Sequence, residues 1–345
     1  MKRVIIFPNK DEKSNSWCNE INNIECFQVN GNIFYQFYFV ALYALRGYEV
    51  IFFFRYLGDY RNIFMTFIKM FLECLICFIC KLSKGQVRWI VHNIDKESFE
   101  FFPKITKIRR NIVAYHCEYA YVTDCSLIEH LQNKIPNYKG IIDVTCFGDK
   151  ATDTDVAFNR QITDVICDLK KNHEDIRFSL CATSLSLKCY HLFKMSSFLD
   201  VINKDGLKLV MILVAPFNKY KNSKVWDGLY SELSSRKDIM IFPDGGRVSE
   251  KYLTNHIDFV YRTLDDISIP YSLYTSVSAK LPLVTHDVGM LRNIVLREEV
   301  GVVYHSYSCE ELFCKLEQIK KDNFDRFNNN YNWEKGAQSL VKGLF

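Results

Sequence analysis

Short apolar runs recur along the chain and alternate with longer segments that have helix-like patterns. The runs RVIIF at 3–7, YEVIFFF at 48–54 and LKLVMILVAPF at 207–217 are largely continuous stretches of hydrophobic residues rather than alternating ones. Strands of this kind are typical of parallel sheets that carry helices on both faces. The pattern therefore predicts an α/β protein.

The strand–helix pattern occurs twice along the sequence. A first series ends with GIIDVTCFGDK at 140–150, the composition turns polar over 149–175, and a second series starts with IRFSLCA at 176–182. A chain of 345 residues is also too long for one ordinary hydrophobic core. We therefore expect two Rossmann-like, doubly wound parallel-sheet domains, at 1–165 and 166–325, with a ligand site in a cleft between them.

Charge and cysteine content narrow the classes of protein. The net charge of +4 is too small to indicate nucleic-acid binding, although it is compatible with phosphate or anionic lipid. The thirteen cysteines are scattered, most of them in apolar runs, as expected for reduced thiols in a cytosolic protein. Cys74, Cys77 and Cys80 have a spacing found in metal sites, but no fourth ligand follows them, and on a helix their stripe suits packing.

The segment Asn62–Leu82 is apolar and about as long as a membrane-spanning helix. Lys69 and Glu73 lie at its middle, one helical turn apart, and placing both in lipid is costly. Two interpretations stay open: a buried core helix, or a helix that packs partly on its domain and partly lies in a membrane interface. The amino terminus, MKRVIIF, is too short an apolar run to predict a secretory signal.

Four segments together resemble a known family. They are, in order, NGNIFYQFYFVALYALRGYEV (30–50), WIVHN (89–93), SLYTSVSAKLPLVTHDVG (272–289) and NWEKGAQSL (332–340). Their order and spacing resemble GT-B glycosyltransferases, particularly glycosyltransferase family 4 and its relatives. The resemblance implies an acceptor-binding first domain, a second domain that binds a nucleotide sugar, and a final segment, 326–345, whose helix crosses back to the first domain.

The resemblance also implies an activity. A GT-B enzyme transfers a sugar from a nucleotide-diphosphate donor of the UDP or GDP type to a saccharide acceptor, without a metal or other cofactor. The apolar helix and the slight basic excess suggest a lipid-linked acceptor in bacterial surface-polysaccharide or lipopolysaccharide synthesis, at the inner face of the cytoplasmic membrane. The alternatives are a nucleotide-sugar epimerase on the same scaffold and a non-catalytic member of a polysaccharide assembly complex.

The donor site is expected around a helix that follows VYRTLDD. Ser268 stands where it would cap that helix, with Pro270 in its first turn, and a helix start with unpaired N–H groups suits a diphosphate. Lys188 is a candidate cation for the leaving group. The expected donor-binding residues are Lys188, Asp266, Ser268, Ser272, Tyr274 and Thr275.

One departure from the family concerns its paired glutamates. When the sequences are aligned on Pro282, the two glutamates fall at Ile267 and Thr275, neither of which is acidic. Asp266 lies just upstream of the first position, and the hydroxyl of Thr275 offers the ribose only one hydrogen bond. The chain therefore resembles a divergent GT-B family, and whether the anomeric configuration is retained or inverted stays open.

The first domain is expected to supply the remaining groups. The expected catalytic residues are His92, Asn93 and Glu20, and the expected acceptor- and phosphate-binding residues are Gly31, Asn32 and Arg88. His92 closes a strand, where it binds sugar hydroxyls or acts as a base, or else has a structural hydrogen bond. Glu20 is the alternative base if the reaction inverts configuration. Gly31 allows the backbone to approach a ligand, or is simply a turn before a helix.

Overall fold

The computed structural model describes residues 2–91, 101–149, 155–173 and 175–344. The strands are β1 (Arg3–Phe7), β2 (Glu25–Gln28), β3 (Glu49–Phe54), β4 (Gln86–Ile90), β5 (Cys117–Val122), β6 (Ile141–Val144), β7 (Arg177–Ala182), β8 (Leu209–Val214), β9 (Ile239–Phe242), β10 (Phe259–Tyr261), β11 (Leu283–His286) and β12 (Gly301–Tyr304). The helices are α1 (Glu12–Glu20), α2 (Ile33–Leu45), α3 (Ile63–Leu82), α4 (Pro103–His116), α5 (Leu127–Lys134), α6 (Val156–Asn172), α7 (Tyr190–Ile202), α8 (Lys224–Ser234), α9 (Glu250–Leu253), α10 (Ser272–Ser278), α11 (Leu291–Glu298), α12 (Cys309–Glu317), α13 (Lys321–Asn330) and α14 (Trp333–Val341).

The chain forms two compact units, each with one six-stranded sheet. Unit 1 comprises Met1–Gly148 and Tyr331–Phe345, and its strand order is β2-β1-β3-β4-β5-β6. Unit 2 comprises Asp149–Asn330, and its strand order is β12-β11-β10-β7-β8-β9. Every strand pair in both sheets is parallel, which confirms the prediction of two Rossmann-like doubly wound domains.

In each sheet, successive strands are first added toward one edge and then, from one point on, toward the other edge. We call this topological switch point the winding reversal. In unit 1 the reversal lies between β1 and β3, and in unit 2 it lies between β7 and β10. Because parallel crossovers are right-handed, the helix before the reversal and those after it cover opposite faces. In unit 1, α1 therefore lies on one face with α14, and α2 to α5 lie on the other. Ligands of such sheets bind outside the carboxyl ends of the strands at the reversal.

The polar stretch after the first sheet contains α6, a helix that was not predicted from the sequence. Asn159 in this helix is fully buried, donates to the carbonyl oxygen of Arg247 at 2.9 Å and accepts from the Ser249 backbone N–H at 2.8 Å. These bonds hold α6 in unit 2, so that unit 1 ends at Gly148 where the sequence places a boundary at 165.

The carboxyl-terminal segment contains three helices, α12, α13 and α14. The last of them belongs to unit 1, as the resemblance implies. Gly336 is essential to its packing, because a Cβ there would lie 2.3 Å from the carbonyl oxygen of Cys146. Trp333 packs edge-on against Trp17 of α1, with ring centroids 5.9 Å apart. The helix is therefore part of the core of unit 1.

A buried ion network joins α3 to α4, a helix that the sequence interpretation did not include. Arg109 is fully buried, and its guanidinium lies 2.6 Å from Glu73 and 2.5 Å from Asp59. Lys69, the other charge in the middle of α3, donates to the carbonyl oxygen of Gly58 at 2.5 Å. Both charges that interrupt the apolar pattern of α3 are thus satisfied by protein.

Arg88 occupies the middle of β4 and is 0% exposed. It donates to the Tyr121 hydroxyl and the carbonyl oxygen of Leu340, both at 2.6 Å, and to Gln86 Oε1 at 2.8 Å. Its guanidinium also lies 4.4 Å from the centre of the Tyr119 ring. This corrects the expectation that Arg88 binds a diphosphate, because the side chain is used to fasten α14 to the sheet.

We expect Arg88→Met to lower the free energy of unfolding by roughly 2–4 kcal/mol, because the Leu340 carbonyl and the Tyr121 hydroxyl lose a buried donor. Denaturant titration measures the change. Arg46→Met, at an exposed helix end, is the control and should change stability by less than about 0.5 kcal/mol. Equal stability of the Arg88 variant and the control would contradict the structural assignment.

Candidate functional site

A cavity of about 430 Å³ lies at the carboxyl edge of the unit 2 sheet. It is bounded by the loops that follow β7, β8, β9 and β10 and by the starts of α9 and α10. The polar residues that line it include Thr183, Asp244, Glu250, Arg262, Ser272 and Thr275. The cavity lies at the carboxyl ends of β7 and β10, the strands between which the winding reverses. A doubly wound sheet is expected to bind its ligand at this place.

Arg262 is the basic residue among those that line this cavity. It directly follows β10 and is only 9% exposed. Nη1 contacts the Thr183 hydroxyl and lies 3.4 Å from His191 Nε2, whereas the buried Nε has no hydrogen-bond partner among the described residues. No described carboxylate forms an ion pair with the guanidinium. A buried cation without a counter-ion is unfavourable, so this arrangement favours an anionic ligand.

His191 supports Arg262 from below the cavity. The imidazole is fully buried and its Nδ1 lies 2.6 Å from the carbonyl oxygen of Thr263. Burial and the neighbouring charge of Arg262 hold the pKa of His191 well below its usual value. A neutral ring that donates from Nδ1 to Thr263 leaves Nε2 as the acceptor for Arg262. The positive charge of this pair is therefore carried by Arg262.

A buried carboxylate also lies at the cavity. Glu250 is the first residue of α9, is 8% exposed, and accepts a hydrogen bond from the Thr275 hydroxyl at 2.8 Å. Thr275 is the position at which the resemblance aligns the second family glutamate. The carboxylate is thus present beside that position, but it comes from the preceding helix.

Three predicted donor-binding residues are brought together beside β10. Lys188 Nζ lies 3.0 Å from the Ser268 hydroxyl and 3.4 Å from an Asp266 carboxylate oxygen. The Ser268 hydroxyl also donates to Asp266, and the Asp265 N–H donates to the carbonyl oxygen of Lys188 at 3.0 Å. The loops after β7 and β10 are therefore held to each other by a polar cluster that carries a second cation.

The expected helix start is corrected by the structure. Helix α10 begins at Ser272, with Tyr271 at its N-cap, so that Ser268 does not cap it and Pro270 precedes it. The Ser268 hydroxyl is instead engaged by Asp266 and Lys188. Ser268 therefore does not present the unpaired amides of a helix start.

The predicted residues of α10 divide into two groups. Ser272 and Thr275 line the cavity, and the buried Ser272 hydroxyl has no hydrogen-bond partner among the described residues. Tyr274 is 3% exposed, and its ring packs 5.8 Å from that of Phe327 in α13. This corrects the assignment of Tyr274 to the donor site. The helix is poor in large residues because it is almost entirely enclosed by protein.

The predicted residues of unit 1 have different positions. His92 and Asn93 lie outside the described residues. Asn32 caps α2 by accepting from the Phe34 N–H at 2.9 Å, and Gly31 lines a second, smaller cavity of about 200 Å³. Glu20 ends α1, which returns the chain to the amino end of β2. This corrects its assignment as a base, because ligands of the sheet are expected at the opposite edge.

Sequence reasoning missed Arg262 and Glu250. Arg262 directly follows the short apolar run FVY at 259–261, and a charge at a strand end is a signal that was available. Glu250 follows Ser249, whose side chain caps α9, so its helix was visible, but its proximity to Thr275 was not. Within the described ranges, no group of three His, Cys, Asp or Glu side chains is arranged to hold a metal ion.

Comparisons with known proteins identify the fold. No protein-family model matches the chain, and no curated protein matches it in sequence. Anabaena Alr3699/HepE, solved in complex with UDP and glucose, matches it with a TM-score of 0.62 at 12% identity, covering 100% of this chain and 99% of that one. WaaG, a glycosyltransferase involved in lipopolysaccharide biosynthesis, has a TM-score of 0.54 at 12% identity, with 99% and 100% covered.

A glycosyltransferase from Rickettsia africae ESF-5 also matches, with a TM-score of 0.61 at 13% identity and with 99% of this chain and 97% of that one covered. All three comparisons extend over nearly the whole chain. Together with the two parallel six-stranded sheets, they show that the chain has the GT-B fold.

The folding stability of unit 2 is expected to depend on pH through His286. Its Nε2 lies 2.5 Å from the Tyr261 hydroxyl at the end of β10, and burial together with the charge of Lys194 lowers its pKa from 6.5 to about 4. The unfolded chain therefore binds a proton more readily than the folded one between these values. Stability falls as the pH falls from about 6.5 towards about 4.

We expect His286→Gln, which retains an acceptor for Tyr261, to remove part of this dependence. Between pH 7 and pH 5 the unmodified chain should lose about 2 kcal/mol more unfolding free energy than the variant. Denaturant titrations of both proteins at the two pH values test this. The same loss in both would mean that His286 is not buried in its neutral form.

Proposed function

We propose that the protein is a metal-independent glycosyltransferase that takes a sugar from a nucleotide diphosphate of the UDP or GDP type. The observation that carries this proposal is the buried guanidinium of Arg262, which has no counter-ion among the described residues and faces the cavity at the winding reversal. A diphosphate supplies the missing negative charge. The GT-B fold supports the assignment, because HepE, which it resembles, was solved with UDP and glucose.

The donor is proposed to lie across the carboxyl edge of unit 2. Arg262 binds the diphosphate, and Lys188 lies in the adjoining loop cluster as a second cation. Glu250, together with Thr275, accepts hydrogen bonds from the hydroxyl groups of the ribose. The turn Asp244–Gly246 lines the same cavity and offers main-chain groups to the nucleobase. Each group of a nucleotide diphosphate thus has a residue of matching chemistry.

The arrangement suggests how transfer is promoted. As the bond between the anomeric carbon and the diphosphate oxygen breaks, negative charge grows on that oxygen. Arg262 is already desolvated and held by Thr183 and His191, so it stabilises this charge without reorganising. The protein itself supplies the positive charge that a metal ion supplies in other transferases.

The acceptor is proposed to be a saccharide bound by unit 1, near Gly31 and Asn32, with His92 as the group that binds the sugar or takes the acceptor proton. A lipid-linked acceptor in surface-polysaccharide or lipopolysaccharide synthesis suits the apolar helix α3, and WaaG, which shares the fold, is involved in lipopolysaccharide biosynthesis. All thirteen cysteines are free thiols, which suits a cytoplasmic site of action, at the inner face of the membrane.

A panel of nucleotide sugars and free nucleotides tests the donor. We expect UDP or GDP and one of their sugars to raise the melting temperature, and the sugar nucleotide to be hydrolysed slowly without acceptor. At 100 times its Kd a ligand adds about 2.7 kcal/mol to stability. Stabilisation by none of the nucleotides or nucleotide sugars would favour the non-catalytic scaffold. Conversion of the donor sugar to its epimer would favour the epimerase.

Arg262→Met tests the residue that carries the proposal. The variant should fold at least as stably as the unmodified chain, since it removes a buried unpaired charge, but should bind the nucleotide roughly 30- to 100-fold more weakly. Arg177→Met, at an exposed position of the same unit, is the control and should bind normally. Unchanged affinity of the Arg262 variant in calorimetry would refute the diphosphate site.

Glu250→Gln separates the ribose contact from the diphosphate contact. The amide oxygen can still accept from Thr275, so the fold should be preserved. We expect nucleotide affinity to fall about tenfold, because a charge-assisted bond to the ribose is lost, while inorganic pyrophosphate binds as before. An equal loss of affinity for the nucleotide and for pyrophosphate, or no loss for either, would contradict the role of Glu250.

A further inference from the structure

Three neighbouring helices of unit 1 present aromatic side chains to solvent. Helices α2, α3 and α4 cover the same face of the sheet, with α3 in contact with both of the others. The side chains are 47% to 85% exposed, and we refer to them as the aromatic face: Tyr38, Phe64, Phe67, Phe71, Phe78 and Tyr115. Exposed aromatic side chains on three neighbouring helices indicate an interaction surface.

The spacing in α3 places its exposed rings along one side. Phe64, Phe67, Phe71 and Phe78 recur at intervals of three, four and seven residues, which is one face of a helix. The opposite side, including Ile76, is buried against the sheet. The helix is therefore apolar on both sides, and only one side is satisfied by the protein.

Helix α3 is long and apolar enough to cross a membrane by length and composition, a test that a core helix also passes. Its contacts oppose that arrangement. Glu73 is 2% exposed and paired with Arg109 of α4, so that crossing a bilayer would break a buried ion pair and place the carboxylate in lipid. The helix stays packed in unit 1, and only its outer rings can enter an apolar phase.

The exposed charges of helices α2, α3 and α4 are of one sign. Lys81, Lys104 and Lys107 are exposed on α3 and α4. The acidic residue of these three helices is Glu73, which is buried, so they carry no exposed carboxylate. Aromatic rings beside lysines match the boundary of an anionic bilayer, where rings lie among the headgroups and lysines meet the lipid phosphates.

We propose that the aromatic face docks unit 1 flat on the surface of an anionic phospholipid bilayer. A second copy of the chain is less well matched, because it would bring the same basic charge and no exposed carboxylate from these helices. The proposal does not depend on transferase activity, since it concerns a different unit and a different surface from Arg262.

Vesicle co-sedimentation of the full chain tests the proposal. We expect binding to vesicles of phosphatidylcholine with phosphatidylglycerol, weaker binding to phosphatidylcholine alone, and weakening by salt. Phe67→Ser/Phe71→Ser/Phe78→Ser should reduce binding about tenfold or more, because three rings no longer enter the interface. Lys104→Glu/Lys107→Glu should lower binding to the anionic vesicles and leave binding to phosphatidylcholine vesicles unchanged.

Leu296→Ser changes a comparably exposed apolar residue of unit 2 and should bind vesicles normally. Far-ultraviolet dichroism and thermal melting check that the variants are folded. Equal binding by the triple serine variant and the unmodified chain would overturn the proposal. So would a chain that binds no vesicle but forms dimers that the triple variant abolishes, since the aromatic face would then join two copies.

Discussion

The arrangement of unit 2 depends on one unbalanced charge, the guanidinium of Arg262. It lies at the end of β10, is almost fully buried, and has the Thr183 hydroxyl and a neutral His191 as neighbours rather than a carboxylate. Such a group lowers the stability of the empty protein. Arg262 lies at the winding reversal, and the proposed diphosphate would meet there a cation that is already oriented and desolvated.

Much of the fold was predictable from the sequence. The apolar strands were long and continuous, as β8 with its six fully buried residues shows, and such strands indicate parallel sheets. Helices α4 and α6 were not predicted, although α6 has a capping Asp155 and the buried residues Ile162 and Ile166 one helical turn apart. Arg109 in α4 and Asn159 in α6 look like surface residues in the sequence, yet each is fully buried in a hydrogen-bonded network.

The candidate site was only partly predictable. Lys188, Asp266 and Ser268 were expected near one another and are in contact, since strand order brings the loops after β7 and β10 together. Arg88 looked equally suitable for a phosphate, but the structure uses it inside the core. Glu250 could not be found by alignment, because it reaches the position of Thr275 from another helix. The carboxylate beside Thr275 thus comes from a different segment of the chain than the one that the alignment indicates.

The central claim concerns where the diphosphate binds, and a crystal structure of the chain with UDP tests it most directly. The account predicts phosphate oxygens within hydrogen-bond distance of Arg262, with the ribose hydroxyls at Glu250. A diphosphate bound elsewhere on unit 2, with the guanidinium of Arg262 still without an anionic partner, would contradict it.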